Sequence, residues 1–552
     1  MQARRRHARP CRLLVAALIV VTTLLFFAGD VPGVFISTID MPTRKLLVGP
    51  RRLPLSLGAV REAARAATPV DAVLLPDLEV LVLLHPNATA VDNATCAFRG
   101  GASSPARALG RLPSSGRHAY TCAMPEPARR HQPFHAPRIV QPSSAAVMED
   151  TVHGSPYDEL MLKWSGRLVY DSVVVDGGDV LVFAKGVNPR QGVNRPASDV
   201  RCVYYRGGRA DDVVASVPAA TSAQQVFRCP PPPATVVDHP APPDVILRVT
   251  LSVAGDEEPI PSVATYSPPH GGSSPATEKR NKICACTMVR DVGKFLREWV
   301  VYHAAVGVDR FFLYDNGSED DLAEQVRRLT AEGFHVSTLP WPWPKTQEAG
   351  FSHSAAAHRV SCEWMAFIDV DEFIFSPQWA TSGEPSSSML RSIVAVKPDV
   401  GQVSLGCVDF GPSGRTTHPP EGVTQGYTCR RREVERHKSV VRLDAVDRSL
   451  VNSVHHFAVR GDGEWSRRAR VNHYKYQAWE EFSLKFRRRV STYVADWTNR
   501  VNPLSKDRTP GLGFDPVEPA GWSAMFCEVN DTLLRDVTRR WFAAGETMIH
   551  DA

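Results

Sequence analysis

From Lys282 onward the chain alternates short apolar runs with helix-length amphipathic stretches, and few folds accept that grammar. Strand-like runs at 282–289, 310–314, 334–339 and 365–368 are separated by helical stretches at 293–305, 319–332 and 346–359. Ser318 stands where it can cap the second of these helices, with Asp321 at the third position and Gly333 as the stop. Strands joined by helices pair in parallel, so this half predicts an α/β fold with a doubly wound, mostly parallel sheet. In such a sheet ligands bind outside the carboxyl ends of the strands.

The fourth run ends in acids. In Trp364-Met-Ala-Phe-Ile-Asp-Val-Asp-Glu-Phe-Ile-Phe375, three carboxylates fall within four residues, framed by apolar side chains on both sides. Clustered carboxylates at the end of a buried strand repel one another and lose hydration, and a cation relieves both costs. On an extended strand Asp369 and Asp371 share a face, so both reach one ion, while Glu372 points away and reads as structural. Hard oxygen donors suit Mg²⁺ or Mn²⁺, either of which can grip a diphosphate. A solvated acidic turn is the plain alternative, and the apolar frame argues against it. Two strand–helix units earlier, Asp315-Asn-Gly-Ser318 follows a strand and precedes a helix. An Asp there can accept from a base or ribose hydroxyl, and the Asn316-Gly turn admits a ligand.

The amino terminus differs from the rest. Arg4, Arg5, Arg6, Arg9 and Arg12 precede an uncharged apolar run from 13 to 28. A cleaved signal peptide competes with an uncleaved signal-anchor, but apolar character resumes past Asp30 and no small-x-small site stands out. The expectation is a cytosolic tail (1–12), a transmembrane helix (13–29), a stem (30–75) and a luminal remainder on a Golgi membrane, single-pass type II. Asn87-Ala-Thr89, Asn93-Ala-Thr95 and Asn530-Asp-Thr532 are glycosylation sequons that fit the lumen; Asn316-Gly-Ser318 is a fourth, expected to stay unused. Ten of eleven cysteines follow the apolar run, an even number that permits disulfides without fixing their pairing. Val-rich runs at 167–175, 179–183, 200–205 and 245–253 predict an all-β domain at 76–265, and the Pro/Gly/Ser-rich stretch 266–281 reads as a linker. A net charge of +5 over 552 residues gives no basic domain for nucleic acid.

The runs Lys282-Ile-Cys-Ala-Cys-Thr-Met-Val-Arg-Asp291, Phe311-Phe-Leu-Tyr-Asp-Asn-Gly-Ser318 and Phe367-Ile-Asp-Val-Asp-Glu-Phe373, followed by Phe410-Gly-Pro-Ser-Gly414, His437-Lys-Ser439, Val454-His-His-Phe457 and Asn472-His-Tyr474, together resemble glycosyltransferase family 92. That family includes the plant β-1,4-galactan synthases. The resemblance implies a GT-A fold over 282–545, a UDP-sugar donor (UDP-galactose in the plant members), Mn²⁺, and inversion at the anomeric carbon. It also implies a glycan acceptor such as β-galactan or a pectic side chain and a β-rich module that binds carbohydrate; a homodimer is a separate expectation. By the same resemblance Asp369 and Asp371 hold Mn²⁺, Asp315 faces the uridine and Arg290 lies beside the nucleotide. His473 becomes a further metal ligand, with His455 and His456 as rivals, and Lys485 on the following helix reaches the diphosphate. That helix carries an apolar stripe of Phe482, Phe486, Val490, Tyr493, Val494 and Trp497. Inversion needs a base for the acceptor hydroxyl, and Asp409, Glu433, Glu435 and Glu421 are the candidates. Trp341-Pro-Trp-Pro344 offers either stacking surface for a sugar ring or a packed loop. Two rival readings are a glycan-binding protein on an inactive transferase fold and a metal-dependent phosphoesterase, the latter wanting a second ligand cluster.

Overall fold

The computed structural model describes residues 69–141, 160–267 without 176, 189–191, 208–211 and 238–244, then 281–485, 517–542 and 548. The expected tail, signal-anchor, most of the stem and the body of the linker lie outside the described residues. Among the described residues no helix is long and apolar enough to cross a membrane. All of them fall in one compact unit, 57–552.

The first half is β-rich, as its Val-rich runs predict. A five-stranded sheet includes Arg107–Arg111, His118–Ala123, Glu79–Leu84 and Pro69–Leu74 in that order, and four- and three-stranded sheets follow. The stem boundary at 75 moves, because Pro69–Leu74 already pairs antiparallel with Glu79–Leu84. Between residues 85 and 141 the chain also forms strands. Its strands are set by cross-strand pairing and by the Cys96–Cys122 disulfide rather than by local pattern. Further disulfides join Cys202 to Cys229, Cys284 to Cys362 and Cys429 to Cys527, while Cys286 and Cys407 are buried thiols.

In the second half β1 (Asn281–Val289), α1 (Gly293–Val306), β2 (Arg310–Asp315), α2 (Leu322–Ala331), β3 (Val336–Pro340), α3 (Gln347–Ala357) and β4 (Cys362–Phe367) follow the predicted alternation. Strands β3-β2-β1-β4 run parallel in that order. Beyond the acids the chain departs from the predicted winding. Strands β5 (Glu372–Phe375), β6 (Val400–Phe410), β7 (Cys429–Arg442) and β8 (Asp462–His473) extend the same sheet in the order β4-β7-β6-β8-β5. Of these neighbours only β6 and β8 are parallel; β4–β7, β7–β6 and β8–β5 are antiparallel. The sheet is therefore mixed rather than mostly parallel, since connections after β4 no longer cross over through long helices. Ser318 does not cap α2 either: Asp321 takes the N-cap position, and the Ser318 hydroxyl goes back to Asp315, 2.7 Å away.

One face of the sheet buries Ile283, Ala285, Phe311 and Leu313 under α1 and α2, through Trp299, Leu322 and Leu329. The other face packs Cys286, Phe312 and Tyr314 against Phe351 of α3 and against Val73, Leu81, Trp164, Tyr170 and Phe183 of the β-rich half. The two halves thus share one apolar core. Trp341 and Trp343 lie inside it, each 0% exposed, with Trp343 stacked on Trp164 at 5.8 Å. They are packing residues, and the stacking-surface alternative is overturned.

Polar groups enter this seam as well. Tyr314 Oη bonds His353 Nδ1 at 2.7 Å, and Ser114 Oγ meets His353 Nε2 at 2.9 Å. Nearby, burial pushes the Asp171 carboxyl up to about 7, against the pull of the Ser172 amide, Ser114 and Trp343. A carboxyl with a raised native pKa binds more protons folded than unfolded between about pH 4 and 7, so stability falls as pH rises through that window and levels above it. Asp171→Asn is expected to flatten that slope and to be more stable than the parent by a few kcal/mol at pH 8. Thermal unfolding of both proteins at pH 5 and pH 8 checks it; equal pH dependence would place Asp171 outside the linkage.

Candidate active site

The acids sit in a tight turn between two strands of the sheet. β4 ends at Phe367 and β5 begins at Glu372. The turn is closed reciprocally: Glu372 N donates to the Asp369 carbonyl and Asp369 N to Glu372 Oε2, both at 2.9 Å. Glu372 is 2% exposed. It faces Lys438 of β7, itself 2% exposed, whose Nζ lies 3.1 Å from Glu372 Oε2 and 2.8 Å from Asp369 Oδ2. Asp369 and Glu372 hold the Lys438 ammonium well above its ordinary range, overriding burial. Burial in turn keeps Glu372 above the usual carboxylate range despite Lys438. Gln347, opening α3, donates to Asp369 Oδ1 at 3.3 Å.

His473 ends β8, and the register puts it opposite Glu372 on one side and Asp409 on the other. Its Nδ1 lies 3.0 Å from Asp409 Oδ1 and its Nε2 3.3 Å from Asp371 Oδ2. Burial lowers its pKa, but the charge and hydrogen bond of Asp371, then Asp409 and Glu372, raise it to about 9. Asp409 is 2% exposed and also meets Lys475 Nζ at 3.2 Å. Against burial, His473 and Lys475 hold its carboxyl down to about 2. Lys485 Nζ pairs with Asp371. That lysine and His473 keep Asp371 far below the usual carboxylate range although burial opposes them. Residues 479–485 are helical, as expected, and the apolar stripe beyond Phe482 lies outside the described residues.

The parallel strands end together. Asp315 is level with Val289, and Phe367 with Cys286, so Asp315 and Asp369 close neighbouring ends two strand spacings apart, about 10 Å. Asp315 Oδ1 accepts from Ser318 N at 2.8 Å. Asn316 spends its amide group on the carbonyls of Trp341 and Trp343, at 2.7 and 3.2 Å, leaving its side-chain oxygen for any ligand. Arg290 is exposed in the bend after β1. The β-rich half reaches this loop: Arg107 Nη1 donates to the Ser318 carbonyl at 3.1 Å, and Nη2 lies 3.7 Å from Glu319.

The structure therefore brings Asp369, Asp371, His473, Asp409 and Lys485 together. It separates Glu433 and Glu435, which line a cleft with Arg431, Phe526 and Glu528; Glu435 pairs with Arg431, and Glu433 lies 3.7 Å from it. Glu421 pairs with Arg415. Asp409, a candidate base, is buried with its two oxygens engaged by His473 and Lys475. The rivals of His473 are elsewhere employed: His455 Nδ1 donates to the His437 carbonyl at 2.9 Å, and His456 stacks on His437 at 5.2 Å. Lys438, Lys475 and Gln347 went unread. Lys438 had a signal: it lies in phase with Val440, which is buried in the core, so its side chain turns inward.

Among the described residues no group of three or more His, Cys, Asp or Glu is arranged to hold a metal. The donors are nevertheless of the right kind. Two hard carboxylates and an imidazole whose Nδ1 is fixed by a second carboxylate are the first and outer partners a divalent cation takes.

The sequence model of Glycosyltransferase family 92 matches residues 279–508. A rice protein, Glycosyltransferase family 92 protein Os08g0121900, is 40% identical over 430 residues, 74% of this chain and 71% of its own. Glycosyltransferase family 92 protein RCOM_0530710 of Ricinus communis is 35% identical over 556 residues, 96% of this chain and 93% of its own. Among solved structures, the mannosyltransferase PcManGT from Pyrobaculum calidifontis in complex with GDP-Man and Mn²⁺ aligns at a TM-score of 0.25 and 11% identity, over 40% of this chain and 63% of that one. Glucosyl-3-phosphoglycerate synthase from Mycobacterium tuberculosis aligns at 0.19 and 15%, over 30% and 58%. Likenesses so low carry nothing about fold or chemistry.

Proposed function

We propose, the chain belonging to glycosyltransferase family 92 and so being a glycosyltransferase, that it moves a hexose, galactose foremost, from a UDP-sugar to a glycan. In this reading Asp369, Asp371 and His473 would hold Mn²⁺, which supplies Lewis-acid neutralisation of the departing diphosphate. The observation that carries it is the Asp409–His473–Asp371 line, 3.0 and 3.3 Å per step, at the carboxyl ends of the sheet. Asp409 fixes the imidazole's orientation and leaves Nε2 facing Asp371. Lys438 keeps Asp369 and Glu372 in place, and Lys485 turns from Asp371 to the donor's phosphates. Asp315 and Arg290 flank the nucleotide, with Asp315 on the uridine.

Four disulfides and exposed Asn87, Asn93 and Asn530 support a luminal address, with the basic and apolar amino terminus as a Golgi signal-anchor. The test is to incubate the detergent-solubilised full-length chain with UDP-galactose, Mn²⁺ and β-galacto-oligosaccharides, alongside other UDP-hexoses. Elongation with UDP-galactose supports the reading. UDP release with no donor tried would sink it.

Arg107 gives the β-rich half a part in this chemistry, since it holds the loop that would meet the nucleotide. Arg107→Ala is expected to raise the donor KM about tenfold, the low end of what a charge-assisted hydrogen bond contributes, with kcat little changed. Steady-state kinetics at saturating acceptor check it; a fall in kcat alone would assign Arg107 to another step.

A further inference from the structure

We infer that Asp171 of the β-rich half is a positioning residue for the donor: its charge state, passed on by Trp343 and by a buried Ser114–His353–Tyr314 relay, sets how firmly the Asp315-Asn316 loop is held. This rests on the UDP-sugar reading above. Asp171 lies on the strand Leu168–Val174 and is 3% exposed. Its Oδ1 accepts from Ser172 N at 2.7 Å, but its Oδ2 is buried without a partner, and so is Trp343 Nε1. Ser114 and Trp343 pull on the carboxyl without closing a hydrogen bond to Oδ2. A buried acceptor and a buried donor, both unsatisfied and close together, make a gap that a change of charge can close.

Two routes lead from this gap to the nucleotide loop. Asn316 Nδ2 donates to the Trp343 carbonyl at 3.2 Å, and Thr346 Oγ1 donates to the same carbonyl at 2.7 Å, so the seating of Trp343 is felt at the loop. The second route is the relay. Ser114 Oγ lies 2.9 Å from His353 Nε2, and His353 Nδ1 lies 2.7 Å from Tyr314 Oη; Tyr314 is the residue before Asp315. His353 is 1% exposed and burial keeps it neutral, so one ring nitrogen donates and the other accepts. With Asp171 ionised, Ser114 donates to it, His353 Nε2 donates to Ser114, and Tyr314 donates to His353 Nδ1. With Asp171 protonated every bond reverses: the acid donates to Ser114, Ser114 to His353 Nε2, and Nδ1 to Tyr314. The Tyr314 hydroxyl then turns to Ser354 beside it, whose buried Oγ has no partner. One proton is taken up and each other group keeps its own.

The other titratable groups that feel the charge of Asp171 are Tyr170 and Tyr314, and burial keeps both protonated. Of the cations nearby, Lys185 spends its ammonium on the Trp164 carbonyl and Lys345 is exposed; neither pairs with Asp171. The ionised acid attracts the Trp343 and Ser114 donors more strongly than the neutral one does, so it seats Trp343 and tightens the loop. UDP should therefore favour the ionised form. Burial holds the carboxyl up to about 7, which places the change between about pH 6 and 8.

Calorimetric titration of UDP with Mn²⁺ into the detergent-solubilised full-length chain, at pH 6 and pH 8, tests this. Asp171→Asn, which stays neutral, should match the parent at pH 6 and bind UDP about fivefold more weakly than the parent at pH 8, the low end of coupling between sites. Near pH 7 the variant should also release fewer protons on binding, read from buffers of different ionisation enthalpy. The phosphate of UDP and His473 titrate in both proteins, so the difference between them is the readout. Ser114→Ala, which cuts the relay and leaves the acid in place, should fall between the two at pH 8. A variant Asp171→Asn that follows the parent at both pH values would overturn the inference. Equal weakening at both would do the same, since it marks a purely structural role. UDP bound by neither protein at either pH would sink the donor reading, and this role with it.

Discussion

Lys438→Met is expected to lower the unfolding free energy by about 3–5 kcal/mol in metal-free buffer, the cost of leaving a buried charge without its partner. Lys438 and Glu372 are 2% and 3% exposed at the side chain and lie 3.1 Å apart, so water cannot take over the lost interaction. Burial already favours the protonated form of Glu372, and the variant escapes part of the penalty by keeping that proton. Removing both charges separates packing from electrostatics: Lys438→Met with Glu372→Gln should regain most of the loss, since an uncharged pair no longer strands an ion. Denaturant unfolding of the two single variants and the double variant measures the coupling directly. A single variant as stable as the parent would show that something other than Lys438 holds the acidic turn together.

Asp371→Asn should abolish most transfer while sparing the fold, with kcat/KM down by at least about a hundredfold. Asp371 is the hub of the site, reached by His473 Nε2 at 3.3 Å and by Lys485. Asparagine keeps the volume and the backbone carbonyl that accepts from Tyr474 N at 2.8 Å. What it removes is the negative charge, the quality that a divalent cation needs. A native circular dichroism spectrum at assay temperature with a lowered unfolding midpoint, since His473 and Lys485 lose their partner, together with lost activity, are the expected results. Full activity would mean that Asp371 serves His473 and Lys485 structurally and nothing more.

The strand–helix alternation from 281 to 367 was readable because each element there shows its own period, and the parallel arrangement follows from it. The second part of the sheet was not, because β7 and β8 carry long charged stretches, 429–438 and 462–468, whose partners lie far away in sequence. Asp369 and Asp371 stand out in the sequence by their spacing and His473 through the family resemblance, and the structure brings the three side chains together. Which acid does what was not legible, since Asp409, Glu433 and Glu435 look alike as residue types. Only tertiary packing separates an acid clamped between His473 and Lys475 from two acids beside Arg431. Trp341-Pro-Trp-Pro344 reads equally well as a surface or a packed loop until the β-rich half is laid over it. Lys438 was the costliest omission, because a lysine in a strand suggests solvent unless its phase with Val440 is followed inward.

The central claim is that the acidic turn clamps a divalent cation onto a sugar-nucleotide diphosphate, and calorimetric titration of UDP into the full-length chain tests it most directly. With Mn²⁺ present, UDP should bind, and the binding should disappear in EDTA and weaken by at least about tenfold in Asp371→Asn. UDP bound equally well in EDTA, or equally well by Asp371→Asn with Mn²⁺, would contradict a metal clamp at Asp369 and Asp371.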